Sequence, residues 1–158
     1  MKPADLVILV DSREQRQLRF RNLRSERATL PTADYSVRGP GFDLRDTVLI
    51  ERKSVVDLVG SLGVGRARFE REMVRLAKVR WKALVVEGDL REIAAGTRHS
   101  GLTPKQIMGA LTAFSWKYQI AIWAAPNRAW AARIVELLLY HASRYAICKV
   151  TSDEKSEV

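Results

Sequence analysis

The 158-residue sequence predicts a single α/β domain, and three observations carry that prediction. Three short apolar runs, Leu6–Val10, Ala83–Val86 and Ile120–Ala125, have the length of strands and no polar alternation, the pattern of strands buried on both faces. Amphipathic helical stretches separate and follow them. Between residues 31 and 53, turn residues and short extended runs predict a meander.

Leu6–Val10 is the first strand, and Asp11-Ser12-Arg13-Glu14 lies just past its C-terminal end, where open α/β sheets tend to carry their chemistry. Residues 13–28 hold six arginines at spacings of two to three, which give neither a helical nor a strand face. A basic loop is expected there, then a strand near Ser25–Leu30. Pro31-Thr32-Ala33 leads into a strand over Asp34–Val37, Gly39-Pro40-Gly41 is a turn, Asp43–Asp46 a polar hairpin, and Thr47–Lys53 the returning strand. In such a meander Asp34 and Glu51 are cross-strand neighbours. Ser54 is suited to cap a helix Val55–Leu62, with Asp57 at its third position. The glycines 60–65 end that helix. They lack the lysine and the strand-before-helix context of a phosphate-cradling loop, so no nucleotide cofactor is expected.

Arg66–Val79 is amphipathic, with Phe69, Met73, Leu76 and Ala77 on one face. After the strand Ala83–Val86 come a short helix Leu90–Ala95 and a polar loop Gly96–Gly101. Thr103-Pro104-Lys105-Gln106 then starts a helix running to about Tyr118. Ile120–Ala125 is the last strand. Pro126-Asn127 opens a helix to about Ala146 in which Trp130, Ile134, Leu137, Leu138 and Tyr145, with Ala131, Val135, Leu139 and Ala142, cover over half the circumference. A monomer buries one stripe of a helix, so a homodimer through residues 127–146 is expected. The domain, 1–150, is followed by a polar tail, 151–158, expected to be disordered.

Composition narrows the function classes. Lys and Arg number 27 against 18 Asp and Glu, for a net charge of +9, and 19 of the 27 are arginine. Arginine favours bidentate phosphate contact, so a polyanionic partner fits. Arg16, Arg19, Arg66, Arg68 and Arg71 are the candidate DNA contacts. The single cysteine, Cys148, allows no internal disulfide and no thiolate zinc site, and fits an intracellular, cytoplasmic setting. His99 and His141 are far apart in sequence and read as surface or packing residues. No apolar run approaches the ~20 residues of a membrane helix.

Val48-Leu49-Ile50-Glu51-Arg52-Lys53 carries the most chemistry. Strand alternation puts Glu51 and Lys53 on one face and Arg52 on the other. A carboxylate and an amine at the end of a buried strand are costly without a purpose. With Asp34 seventeen residues upstream, two carboxylates and a lysine suit metal-dependent phosphodiester cleavage. Carboxylate oxygens hold a hard divalent cation, and the lysine orients water or stabilises developing charge.

Five segments together resemble the nuclease domain of the XPF family of structure-specific DNA endonucleases. They are Val10–Glu14, Leu30–Tyr35, Ile50–Leu58, Gly60-Ser61-Leu62 with Gly65-Arg66, and Leu84–Gly88. The family's hallmark is Gly-Asp followed by Glu-Arg-Lys-x-x-x-Asp, and the resemblance spans roughly residues 6 to 145. It implies a restriction-endonuclease-like fold of the PD-(D/E)XK type, a mixed central sheet flanked by helices. It implies Mg²⁺ or Mn²⁺ on Asp34, Glu51 and the Arg52 carbonyl, with Asp11 supporting a metal or its water. Lys53 would position or activate the water, and Arg52, Glu14 and Asp57 would support these groups. The implied activity is endonucleolytic cleavage of branched, flapped or forked DNA in repair or recombination. Dimerisation through the last helices agrees with the over-apolar final helix.

The sequence departs from the family pattern in three places. Ala33 stands where the family has glycine, a change expected to matter only if the backbone there needs a positive φ. The Glu14–Leu30 segment is shorter and richer in arginine than the helix of larger relatives. No tandem helix-hairpin-helix or helicase segment is present, which suggests a stand-alone nuclease domain of bacterial, phage or archaeal type. The competing function is a non-catalytic DNA-binding or scaffold subunit. Inactive members typically lose motif acids, and this chain keeps them. A small-molecule enzyme has neither a nucleotide loop nor a nucleophile triad in its favour.

Overall fold

Residues 5–153 are described by the structure, a computed structural model. β1 (Val7–Asp11), β2 (Arg24–Ala28), β3 (Tyr35–Gly39), β5 (Val48–Ser54), β6 (Trp81–Glu87) and β7 (Ala121–Ala125) form one sheet in the order β2-β1-β3-β5-β6-β7. The two-residue β4 (Phe42–Asp43) pairs only with β3. Five helices complete the fold: α1 (Val55–Leu62), α2 (Arg66–Ala77), α3 (Leu90–Ala95), α4 (Pro104–Tyr118) and α5 (Arg128–Asp153). This is the mixed sheet flanked by helices that the resemblance implied.

Strand directions explain where chemistry is placed. β3 runs antiparallel to both β1 and β5, β2 is parallel to β1, and β6 and β7 are parallel to β5. The C-terminal ends of β1, β2, β5, β6 and β7 therefore gather at one end of the sheet, beside the start of β3. Asp11, Glu51–Lys53, Glu87 and the residue before β3, Asp34, all fall there.

Alternation along each strand sends side chains into two cores. Leu9, Leu49, Leu84 and Val86 pack against α1, α2 and α4 through Leu58, Phe69, Met73, Ile107 and Phe114. Ile8, Val10, Ile50 and Val85 pack against α5 through Ala131, Val135 and Leu139, with Leu18 and Leu23 of the basic loop. Each fully buried Leu, Ile or Phe contributes about 1.5–3 kcal/mol, so both layers are well anchored. On β5 this alternation continues into its polar end: Glu51 and Lys53 follow Leu49 toward α2, and Arg52 follows Ile50 toward α5.

Helix starts were well marked. Ser54 accepts the Asp57 N–H at 3.1 Å, and Thr103 forms a reciprocal cap with Gln106. Asp89 does the same with Glu92. Of the boundaries that differ from expectation, two have a clear cause. β2 ends at Ala28, because Leu30 turns inward and its N–H bonds to Asp11. α5 continues through Asp153, so the first three residues of the expected disordered tail are helical in their backbone; no Gly or Pro interrupts the run. The rest of that tail, 154–158, lies outside the described residues.

Candidate active site

Asp34 is fixed by its backbone. The Asp11 N–H donates to its carbonyl at 2.8 Å, and its own N–H donates to the Ile50 carbonyl at 3.1 Å. Tyr35 pairs with Ile50 in antiparallel register, so one step along Asp34 stands opposite Glu51, as the meander predicted. Ala33 reaches this position at φ +63°, a left-handed conformation that favours glycine. The Ala33 substitution therefore does matter: the backbone turn that presents Asp34 needs a positive φ.

The Asp34 carboxylate accepts the Arg52 backbone N–H at 2.8 Å. Burial and the neighbouring Glu51 push its pKa up to about 8, against the lowering effect of that N–H. Burial also raises Glu51, only partly opposed by Lys53. Lys53 Nζ lies 3.3 Å from Glu51 and 3.4 Å from Glu72 of α2, and 5.0 Å above the Phe69 ring. Burial alone would lower the lysine, but Glu51 and Glu72 outweigh it and its pKa is raised. Lys53 is thus held as a cation, which suits charge stabilisation and water orientation and not proton abstraction.

On the other face, Arg52 donates to Glu87 at 2.7 Å and lies 3.5 Å from Glu14, with both Arg52 and Glu14 side chains under a tenth exposed. It also donates to the Arg16 carbonyl at 3.3 Å. Arg128 at the start of α5 reaches the same Glu87 at 3.3 Å. Arg52 and Glu14 are therefore brought together beside Asp34, on the far side of β5 from Glu51.

Asp11 and Asp57 are each engaged by near neighbours in the chain. The buried Asp11 carboxylate accepts four N–H groups: the Arg13 backbone at 2.9 Å, Arg13 Nε at 2.6 Å and Nη2 at 3.1 Å, and the Leu30 backbone at 2.9 Å. Burial would raise its pKa, but the Arg13 and Leu30 donors outweigh burial and lower it. In this arrangement Asp11 ties the end of β1 to Leu30 and to Arg13. Asp57 is exposed, and its carboxylate accepts the Ser54 hydroxyl at 2.7 Å, so it braces the start of α1.

The candidate DNA contacts divide. Arg16 and Arg19 line an open groove beside α5. Arg66 and Arg68 pair along α2 with Glu70 and Glu72 at 3.2 Å each, and Arg71 is exposed on the same helix. Sequence reasoning missed Glu72, Glu87 and Arg128. The end-of-strand rule that singled out Asp11 also marks Glu87, at the end of β6. Glu72 lies three residues from the buried Phe69, a helical spacing that brings it to the same flank.

Among the described residues no three His, Cys, Asp or Glu side chains form a ready cage for a metal ion. The donor chemistry still fits Mg²⁺ or Mn²⁺, which bind through one or two carboxylates and complete their shells with water and substrate phosphate. Two adjacent carboxylates driven toward protonation are what such a cation would relieve.

The ERCC4 domain family model matches residues 10–138, which contain every one of these groups. The chain belongs to the ERCC4 domain family. Among solved structures it is similar to XPF from Aeropyrum pernix, with TM-score 0.68, 22% identity, and coverage of 87% of this chain and 65% of that one. It is also similar to XPF from Aeropyrum pernix in complex with DNA, with TM-score 0.66, 22% identity and the same coverage. The chain thus spans just under two thirds of the length of these XPF chains, and the likeness shows a shared fold. No curated protein matches the chain. No helix among the described residues is long and apolar enough to cross a membrane.

Proposed function

We propose that this ERCC4 domain is a Mg²⁺- or Mn²⁺-dependent DNA endonuclease that cuts branched, flapped or forked duplexes. The observation that carries the reading is the Asp34–Glu51 pair: two neighbouring carboxylates, set opposite each other by β3 and β5, with a cationic lysine alongside. Asp34 and Glu51, with the Arg52 carbonyl, would hold the metal. A divalent cation there supplies neutralisation of the scissile phosphate and a water of lowered pKa.

The chain's own residues do the rest. Lys53 keeps its proton and presents Nζ to the attacking water or to the developing phosphorane charge. Glu72 aims that ammonium from α2. The Arg52 N–H holds Asp34 in register, while the Arg52 guanidinium is locked by Glu87 and Glu14. Asp11 fixes the β1 end against which Asp34 is pinned, and Asp57 secures the helix that follows Lys53. Homodimerisation is part of the proposal. Trp130, Leu137 and Tyr145 of α5 and Trp123 of the edge strand β7 remain exposed, a surface suited to a second copy.

The test is a cleavage panel of linear duplex, splayed arm, 3′ flap, replication fork and four-way junction, each with Mg²⁺ and Mn²⁺. Wild type is expected to cut branched substrates in preference to linear duplex, and Glu51→Ala to cut none. Equal cleavage by wild type and Glu51→Ala would overturn the reading. Light scattering showing a monomer at micromolar concentration would remove the dimer from it.

A further inference from the structure

Beside the site, the loop Gln15–Asn22 and the first two turns of α5 enclose an open groove of about 1160 Å³ lined by Arg16, Arg19, Arg21, Arg128 and Arg133. Its one acidic lining residue, Glu136, is buried and already engaged. Its carboxylate accepts the backbone N–H groups of Arg21, Asn22 and Leu23 at 3.0, 2.8 and 3.2 Å and the Asn22 side chain at 2.7 Å. The guanidinium groups of Arg16, Arg19 and Arg21, by contrast, have no hydrogen bond or ion pair among the described residues. Arg133 lies 3.5 Å from Glu136 and Arg128 3.3 Å from Glu87, so five guanidinium groups line the groove against one acidic lining residue, and three of them carry no partner among the described residues.

The groove is also bolted to the candidate active site. The Arg16 carbonyl accepts from Arg52 at 3.3 Å and from Arg128 at 2.5 Å, and the Gln17 carbonyl accepts from Arg128 at 2.8 Å. Arg52 in turn holds Asp34 through its backbone N–H. A polyanion seated in this groove is therefore registered against the Asp34–Glu51 pair by a short chain of hydrogen bonds. No aromatic side chain lines the groove, so it lacks the stacking platform of a single-strand binder. Arginine, glutamine and asparagine without such a platform suit phosphate oxygens, read without regard to sequence.

We propose that this groove seats the sugar-phosphate backbone of a duplex arm next to the cut, with Arg19, Arg21 and Arg133 as its phosphate contacts. The proposal rests on the nuclease reading for the word "cut", but the binding it predicts is measured separately. The basic loop is then a positioning surface, held in shape from below by Glu136.

The test compares two triple variants that remove equal charge. Arg19→Ala/Arg21→Ala/Arg133→Ala empties the groove. Arg24→Ala/Arg80→Ala/Arg144→Ala removes exposed arginines at the start of β2, before β6 and far along α5, at the opposite end of the sheet. Binding of a fluorescein-labelled 3′-flap duplex is followed by anisotropy in Ca²⁺ over a KCl series, with thermal melts to confirm both folds. The groove triple is expected to bind more weakly and to lose about 2 to 3 from the slope of log K against log salt, roughly 0.9 per lost phosphate contact. The control triple is expected to keep the wild-type slope to within about 1. Equal losses in both triples, or an unchanged slope in the groove triple, would overturn the groove. Weakened binding by the groove triple alongside a wild type that cuts no substrate would uphold the groove and sink the nuclease reading. Normal cleavage by wild type with full binding by the groove triple would do the reverse.

Discussion

On the α2 face of β5, Lys53 lies between Glu51 and Glu72, Glu72 also pairs with Arg68, and Asp34 stands opposite Glu51; on the α5 face, Arg52 and Arg128 meet Glu14 and Glu87. The second set is charge-balanced. In the first, burial, reinforced by mutual repulsion of carboxylates, drives Asp34 and Glu51 toward the neutral form. A buried charge set that balances itself is explained by the fold, and one that does not is a candidate for function. Two adjacent residues of one strand, Arg52 and Lys53, thus belong to different tasks because a strand alternates.

The largest expected effect falls on the unbalanced face. Asp34→Asn or Glu51→Gln should lower metal-dependent cleavage by roughly 10³-fold or more, the several kcal/mol that a Lewis-acidic cation supplies. The same substitutions should leave the metal-free fold as stable or more stable in a thermal melt, because they remove a repelled carboxylate. On the balanced face the order is reversed. Glu87→Ala strands the Arg52 charge and should destabilise by about 3–5 kcal/mol in a urea titration. A Glu87→Ala protein as stable as wild type would dissolve the contrast between the faces.

The pH dependence sharpens it further. In the metal-free fold Asp34 holds its proton up to about pH 8, whereas its ordinary value is 3.8. The folded state therefore binds the extra proton between these values, and its contribution to stability falls as pH rises above 3.8 and is gone once pH passes about 8. Metal binding must release that proton, so Mn²⁺ affinity should weaken up to about tenfold per unit as pH falls below 8. Calorimetric titration at pH 6.5, 7.5 and 8.5 checks the direction, and Asp34→Asn should flatten it.

The smallest effect concerns how Asp34 is presented. Ala33→Gly should stabilise the protein by about 1 kcal/mol in chemical denaturation, the cost of a non-glycine residue at positive φ. A loss of stability would mean that the Ala33 methyl packs usefully.

Much of this was legible in the sequence, for identifiable reasons. β1, β5, β6 and α4 were marked by unbroken apolar runs or by a capping box, signals that depend on neighbours in the chain. The Asp34–Glu51 pairing followed from a meander, in which register is local. Glu72, Glu87 and Arg128 were not found, since each reaches the site from an element whose position is set by packing. Asp11 and Asp57 were recognised as near the chemistry, but their roles depended on which N–H or hydroxyl they meet. The sequence also showed that Ala33 departs from the family's glycine without showing that φ there is positive.

The most direct test of the central claim is Mn²⁺ binding followed by electron paramagnetic resonance at pH 8, on wild type, Glu51→Gln and Glu87→Gln. The account predicts binding by wild type and by Glu87→Gln once its fold is confirmed, and its loss in Glu51→Gln. Binding by Glu51→Gln as tight as by wild type would contradict the account.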